Sequence, residues 1–134
     1  MGARKKLKAD QMKEERKSRS IARLNNYPTS PRKMRLVADM IRGEEVFKAM
    51  SMLTFTPKQA ADPMGKLLRS AVANWESKND GERAEEAGLV VAEVFVDSGR
   101  MLKRLQPAPQ GRAHRIRKRS NHVTIEVAAT NMKD

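Results

Sequence analysis

A run of cations without any acidic residue stands out in the last third of the chain. Between residues 98 and 124 there is no Asp or Glu, and eight cationic side chains are present: Arg100, Lys103, Arg104, Arg112, Arg115, Arg117, Lys118 and Arg119. Six of the eight are Arg, whose planar guanidinium suits paired hydrogen bonds to phosphate and stacking on bases. The chemistry that this segment predicts is therefore binding of a polyanion.

Residue types for catalysis or metal binding are not grouped in the same way. The chain has no cysteine, and its two histidines, His114 and His122, lie on the basic segment with no acidic residue beside them. The phosphate-loop, zinc-protease and serine-hydrolase motifs are missing. We therefore predict no catalytic residue, no metal ligand and no cofactor, and we expect a protein that is not an enzyme.

Charge is segregated along the 134 residues, whose net charge is +12. Residues 1–23 hold nine cations and three acids, residues 24–97 hold ten and eleven, and residues 98–134 hold nine and two. Nucleic acid is the first partner that this balance suggests, and an anionic membrane surface is the second. No apolar run approaches the roughly 20 residues of a membrane span. The N-terminal cations would suit a helix lying on a membrane surface, but Ile21 and Leu24 give such a helix little apolar face. We expect no membrane partner.

The cationic segment has the pattern of one long hairpin. A Val-rich strand is predicted over residues 89–96, and residues 122–127 alternate apolar and polar as a half-buried strand does. A turn-forming cluster, residues 106–111, lies between the two basic stretches, and no charge occurs between Arg104 and Arg112. About 17 residues per side at ~3.3 Å each give roughly 55 Å, against a radius of gyration near ~14 Å for the whole domain. The hairpin must project, and without a polyanion we expect it to be poorly ordered.

Helical spacing accounts for most of the remaining chain. Helices are predicted from Ser30, as N-cap, to Gly43, then over residues 46–53, and after a short turn from Asp62 to Lys78. The polar side of the first helix, with Arg32, Arg35 and Arg42, fits either a solvated face or a phosphate-contacting face. Residues 79–88 are predicted to be a surface loop.

The fold class is α+β: three helices on a short antiparallel sheet, with one long protruding β-hairpin. We assign residues 1–20 to a basic extension, 21–134 to one domain, and 98–120 to the arm.

Several blocks of sequence resemble a known family. The segment Ser30 to Ala38, with Ile41, Arg42 and Gly43, resembles the opening helix of family twenty-two of the large ribosomal subunit, in its bacterial type. Residues 57–61, 66–71 and 73–74 resemble its long helix, and Phe95-Val96-Asp97, Leu102-Lys103-Arg104, Gly111-Arg112-Ala113 and Lys118-Arg119 with His122 resemble its hairpin. The resemblance covers about residues 20–129 in one register.

The resemblance implies a structural protein of the cytoplasmic ribosome whose partners are ribosomal RNA, neighbouring ribosomal proteins and the nascent peptide. Members thread a long hairpin between RNA domains, assist assembly, and line the peptide exit tunnel with the hairpin tip, which in bacteria is tied to macrolide response and stalling peptides. Here the tip would be Pro107, Ala108, Pro109, Gln110, Gly111 and Arg112. The RNA contacts would be the eight arm cations with Arg32, Lys33 and Arg35.

Three features depart from the family pattern. Ala108 stands where an Arg usually follows the tip proline, so the resemblance does not extend to a charge there. Trp75 replaces a small residue, and the first ~20 residues exceed the family core. We expect these first residues to form a basic, weakly helical extension that lies on RNA or in solvent. One alternative of another class is an architectural DNA-binding protein, which would use a basic β-arm and wedge Pro107 or Pro109 between base steps. Such proteins commonly act as dimers, and no dimer surface is apparent in the sequence.

Overall fold

The body is a three-stranded antiparallel sheet with helices against one face. A computed structural model describes residues 3–80 and 82–130; the expectations for residues 1–2, for Gly81 in the predicted loop and for residues 131–134 lie outside the described residues. In chain order the elements are α1 (Ala3–Ser18), β1 (Ser20–Tyr27), α2 (Pro31–Ile41), α3 (Val46–Phe55), α4 (Ala61–Lys78), β2 (Leu89–Ser98), β3 (Leu102–Pro107), β4 (Ala113–Lys118) and β5 (Asn121–Ala129).

The sheet has the order β1-β5-β2, with β5 in the centre and both pairings antiparallel. Val123, Ile125 and Val127 of β5 point to the helical side and are at most 2% exposed. On that side β5 packs against α4, and β2 packs against α2. The alternation read from residues 122–127 therefore identifies the central strand of the sheet and its buried face.

The helices of the body bury the stripes that their spacing predicts. Met34, Val37, Ala38 and Ile41 of α2 are fully buried, and the stripe of α4 from Met64 to Trp75 is also buried. Pro31 is the first residue of α2, where its missing N–H costs no hydrogen bond. Pro63 lies within the first turn of α4 and is tolerated for the same reason. Trp75 is 7% exposed and belongs to the core.

The predicted α+β class is confirmed, with three additions. A fourth helix, α1, has no buried residue. A third strand, β1, pairs with β5 and was not predicted. The predicted single hairpin is two successive ladders, β2 with β5 and β3 with β4, interrupted at residues 99–101 and 119–120. Residues 84–88 of the expected loop form turns.

Replacing Leu68, which is fully buried in α4, with Ala should lower the free energy of unfolding by about 2–5 kcal/mol, because the change leaves a cavity in the core. Leu36→Ala is the matched control, since Leu36 is 55% exposed on α2, and it should change stability by less than about 0.5 kcal/mol. Urea unfolding of both variants measures the difference. Equal losses would contradict this assignment of the core.

Candidate nucleic-acid interface

The outer ladder presents cations on both of its faces. Residues opposite each other in an antiparallel pair point to the same side, and Lys103 is opposite Arg117 while Leu105 is opposite Arg115. The other side carries the remaining cations of the two strands, Arg104 and Lys118, opposite Ile116 and Leu102. All twelve residues of β3 and β4 are exposed.

The cations of the outer ladder are therefore held close together without an acidic side chain to offset their repulsion. Lys103 and Arg117 are directly opposite, an arrangement that destabilises a two-stranded ladder. Within the described parts of the chain, the ion pairs involve residues of α1, Arg19, α2 and α3, and none includes a cation of the arm. The arm cations are thus available to an external polyanion, and such a partner would relieve their repulsion.

The tip is a compact loop without a charged side chain before Arg112. Pro107 pairs with Ala113, the N–H of Ala108 donates to the carbonyl of Arg112 at 2.8 Å, and the N–H of Arg112 donates to the carbonyl of Pro109 at 3.4 Å, which closes a tight turn over residues 109–112. Gln110 and Gly111 both adopt left-handed φ values, 63° and 68°. Only glycine adopts that conformation without steric cost, so Gly111 is required by the backbone and Gln110 is strained. The six predicted tip residues are brought together in this loop.

The root of the arm is fastened to the end of β1 and to the loop that follows it. The side chain of Asn121 is fully buried, and its Nδ2 donates to the carbonyl of Thr29 at 2.7 Å. Nδ1 of His122 accepts a hydrogen bond from the backbone N–H of Asn26 at 3.0 Å. A Cβ on Gly99 would lie 3.2 Å from Nε2 of His122 and from the carbonyl group of Ser120, so a larger residue would push these groups apart by a few tenths of an ångström, which favours glycine here. These contacts define where the arm leaves the body.

The cations of α2, with Arg42 directly after it, divide into two groups. Arg35 donates from Nε and Nη2 to the carbonyl of Val96 (3.2 and 3.0 Å), and Arg42 donates from Nη2 to the carbonyl of Val94 (2.9 Å). Both cap the outer edge of β2, which is an edge strand of the sheet. Arg32 and Lys33 are exposed and form no side-chain hydrogen bond within the described residues. Arg35, expected as an RNA contact, thus also holds β2 just before the arm.

Sequence reasoning missed an ionic bridge at the start of the body. The guanidinium of Arg19 contacts both carboxylate oxygens of Glu126 through Nε (2.7 and 2.9 Å), and its Nη2 bonds Glu126 and also Glu93 (2.9 Å to the latter). The hydrogen bond to Glu126 is the largest cause of the raised pKa of Arg19. The three residues are 33 or more positions apart in the chain, and Arg19 looked like one more cation in a basic stretch.

Two further properties bear on the kind of site. Within residues 3–80 and 82–130, no three His, Asp or Glu side chains cluster as ligands for a metal ion would. None of the helices in those residues combines the length and the apolar character needed to cross a membrane.

A nearly neutral body that carries an exposed, cationic β-arm is typical of proteins that bind a polyanion. The family model for ribosomal protein L22p/L17e matches residues 22–128. Large ribosomal subunit protein uL22 of Christiangramia forsetii is 60% identical over 98% of this chain and 97% of its own length. The proteins of the same name from Flavobacterium johnsoniae and Bacteroides thetaiotaomicron are 61% and 60% identical, over 98% and 96% of this chain and 96% and 94% of their own lengths.

The chain belongs to the ribosomal protein L22p/L17e family. The resemblance drawn from the sequence is confirmed, and so is the expectation of a structural rather than an enzymatic protein. Its location is the cytoplasmic ribosome.

Lys103→Glu should have opposite effects on the arm and on its binding. A carboxylate opposite Arg117 replaces repulsion with attraction, so hydrogen exchange of the β3 and β4 amides in the free protein should slow. Affinity for large-subunit ribosomal RNA should fall. In the control Lys103→Gln the slope of log affinity against log salt should become smaller by about one, as for one lost phosphate contact. Tighter RNA binding by Lys103→Glu would contradict a phosphate-binding arm.

Proposed function

We propose that this ribosomal protein is a constituent of the large subunit that binds ribosomal RNA through its arm and bridges separate RNA segments during assembly. The observation that carries the proposal is the cationic ladder, fully exposed, with like charges opposed and no ion pair to any described residue. The relatives are named as large ribosomal subunit proteins, which supports the same placement. The domain division that we propose is the one expected from sequence: residues 1–20 as an extension and 98–120 as the arm of a single domain.

Binding would be driven mainly by release of counterions from the RNA backbone, so affinity should fall steeply with salt. Both faces of the ladder carry cations, and a partner on one face alone would leave the other uncompensated. A hairpin inserted between two RNA segments satisfies both faces at once. The contacts proposed for RNA are the eight arm cations, together with Arg32, Lys33 and the remaining donors of Arg35.

The tip is proposed to line the peptide exit tunnel and to meet the nascent peptide there. In support, Pro107 to Gly111 carry no charge, and the loop is closed by its own backbone hydrogen bonds. A compact neutral loop is suited to a water-filled passage that many different peptides must traverse. Ala108 and Pro109 give this tip an uncharged surface at the place where relatives of the wider family usually carry Arg.

Removing residues 100–119 should leave the body folded and impair assembly of the large subunit. Ser98 pairs with Asn121, and the N–H of Gly99 donates to the carbonyl of Ser120 at 2.8 Å. The deletion therefore leaves Gly99-Ser120 as a two-residue turn with Gly first, a favoured hairpin connection. Circular dichroism and thermal unfolding test the body, and sucrose gradients of cell lysate show the amount of mature large subunit.

The matched control keeps the arm and replaces its eight cations with Gln, which tests charge separately from length. Both variants should accumulate precursors of the large subunit, while the tagged unaltered protein should co-migrate with the large subunit and stay there after a high-salt wash. Normal assembly with the arm deleted would refute the bridging role. Migration of the unaltered protein with DNA, or free at the top of the gradient, would refute the ribosomal placement of this chain.

A further inference from the structure

Helix α1 is unusual because it packs against the rest of the body too loosely to bury any of its side chains. None of its 16 residues is buried, and its two large apolar side chains, Leu7 and Met12, are 64% and 46% exposed. An isolated helix of this length is marginal in water. It lies outside residues 22–128 matched by the family model, yet the alignments to the relatives cover 96% or more of the chain. Its partner must therefore be sought outside the body.

The charge of α1 indicates what that partner is. The helix holds seven Lys or Arg side chains and three acidic ones. Lys5, Lys8 and Arg16 fall on one stripe with Met12, and Glu15 borders it, because helical positions three or four apart, and multiples of these, share a face. Asp10 and Glu14, also four apart, fall on the opposite side. A helix with a cationic stripe and no apolar stripe is suited to a phosphate backbone and not to an apolar groove or a lipid interior.

The C-terminal end of α1 is fixed to the body although the helix is not. Arg19, the residue after the helix, is bonded through its side chain to Glu126 of β5 and Glu93 of β2. Its carbonyl accepts a hydrogen bond from Nζ of Lys78, the last residue of α4, at 2.6 Å. Ser20, the next residue, is buried. A bidentate Arg–carboxylate contact within a network holds better than a single exposed ion pair.

We propose that α1 is a second RNA-binding element, independent of the arm, which the bridge from Arg19 to Glu126 and Glu93 holds at a fixed exit from the body so that its cationic stripe lies along ribosomal RNA. The inference rests on the proposed function, because it takes ribosomal RNA as the partner. It adds a site that the arm does not supply. In the sheet order β1-β5-β2, α1 precedes the edge strand β1, and the arm follows the other edge strand, β2. Together the two elements would hold the protein at two places.

The absence of cysteine from the chain allows a direct test with the full-length protein. Gln11→Cys in α1 and Gln106→Cys in β3 each place a single thiol at an exposed position. An iron–EDTA group attached to that thiol cleaves nearby RNA by hydroxyl radicals. The probe is the large-subunit ribosomal RNA of Flavobacterium johnsoniae, whose own protein is 61% identical to this chain, and primer extension locates the cuts.

We expect position 11 to cleave a discrete set of nucleotides that differs from the set cleaved from position 106. Adding Arg19→Gln should weaken and spread the cleavage from position 11 while leaving that from position 106 unchanged. Arg23→Gln is the matched control, because it removes a cation of β1 that has no carboxylate partner among the described residues, and it should leave both patterns intact. The unaltered protein, which cannot carry the iron group, gives the background.

The outcomes separate the two proposals. Cleavage from position 106 without cleavage from position 11 would overturn the role of α1 and leave the proposed function standing. If the thiol at position 11, carrying a crosslinker instead of iron, joins a ribosomal protein in assembled large subunits while giving no RNA cleavage, α1 has a protein partner and its proposed role is overturned. If Arg19→Gln leaves the cleavage from position 11 unchanged, the bridge from Arg19 to Glu126 and Glu93 does not position α1, and that part of the proposal is overturned. Absence of cleavage from both positions would refute the proposed function itself.

Discussion

The pairing of β2 with β5 is the interaction on which the rest of the molecule depends. Toward Leu89 and Ala129 this ladder forms part of the sheet that covers the core, and toward Ser98 and Asn121 it becomes the root of the arm. Burial of Val123, Ile125 and Val127 fixes which face of β5 meets the helices, because a shift by one residue would expose all three. The register of the core therefore also sets where the arm begins and which way its faces point.

Stability and binding are kept in different parts of the chain. The apolar stripes of α2 and α4 and the inner face of the sheet supply the buried surface, and residues 24–97 carry almost no net charge. The arm buries nothing in β3 or β4 and concentrates repulsion there. A protein so divided tolerates an unfavourable charge density in one segment because that segment contributes little to folding. Under the proposed function, binding of ribosomal RNA would remove the cost of this repulsion.

Sequence patterns of short range were sufficient to predict those elements whose structure depends mainly on their own residues. The stripe and caps of α2 and the alternation of β5 are repeated at short range, and both were predicted close to their observed limits. β1 was missed because Ser20 to Tyr27 contains two Asn and only small or scattered apolar side chains, so its strand character comes from pairing with β5. The bridge from Arg19 and the use of Arg35 as a cap for Val96 were likewise not predictable, since each joins residues that are distant in sequence. The role of each arm cation toward RNA remains a prediction.

The arm also limits how this protein can vary in length. Its side chains alternate between two faces, and its ends meet at the Gly99–Ser120 contact, so the arm can be lengthened or shortened without rebuilding the body. A matched insertion of two residues in each strand would extend its reach by about 7 Å and keep every side chain on its original face. A single inserted residue in each strand would exchange the faces of all residues beyond it. Lineages that acquire a longer or shorter arm should therefore differ by even numbers of residues per strand.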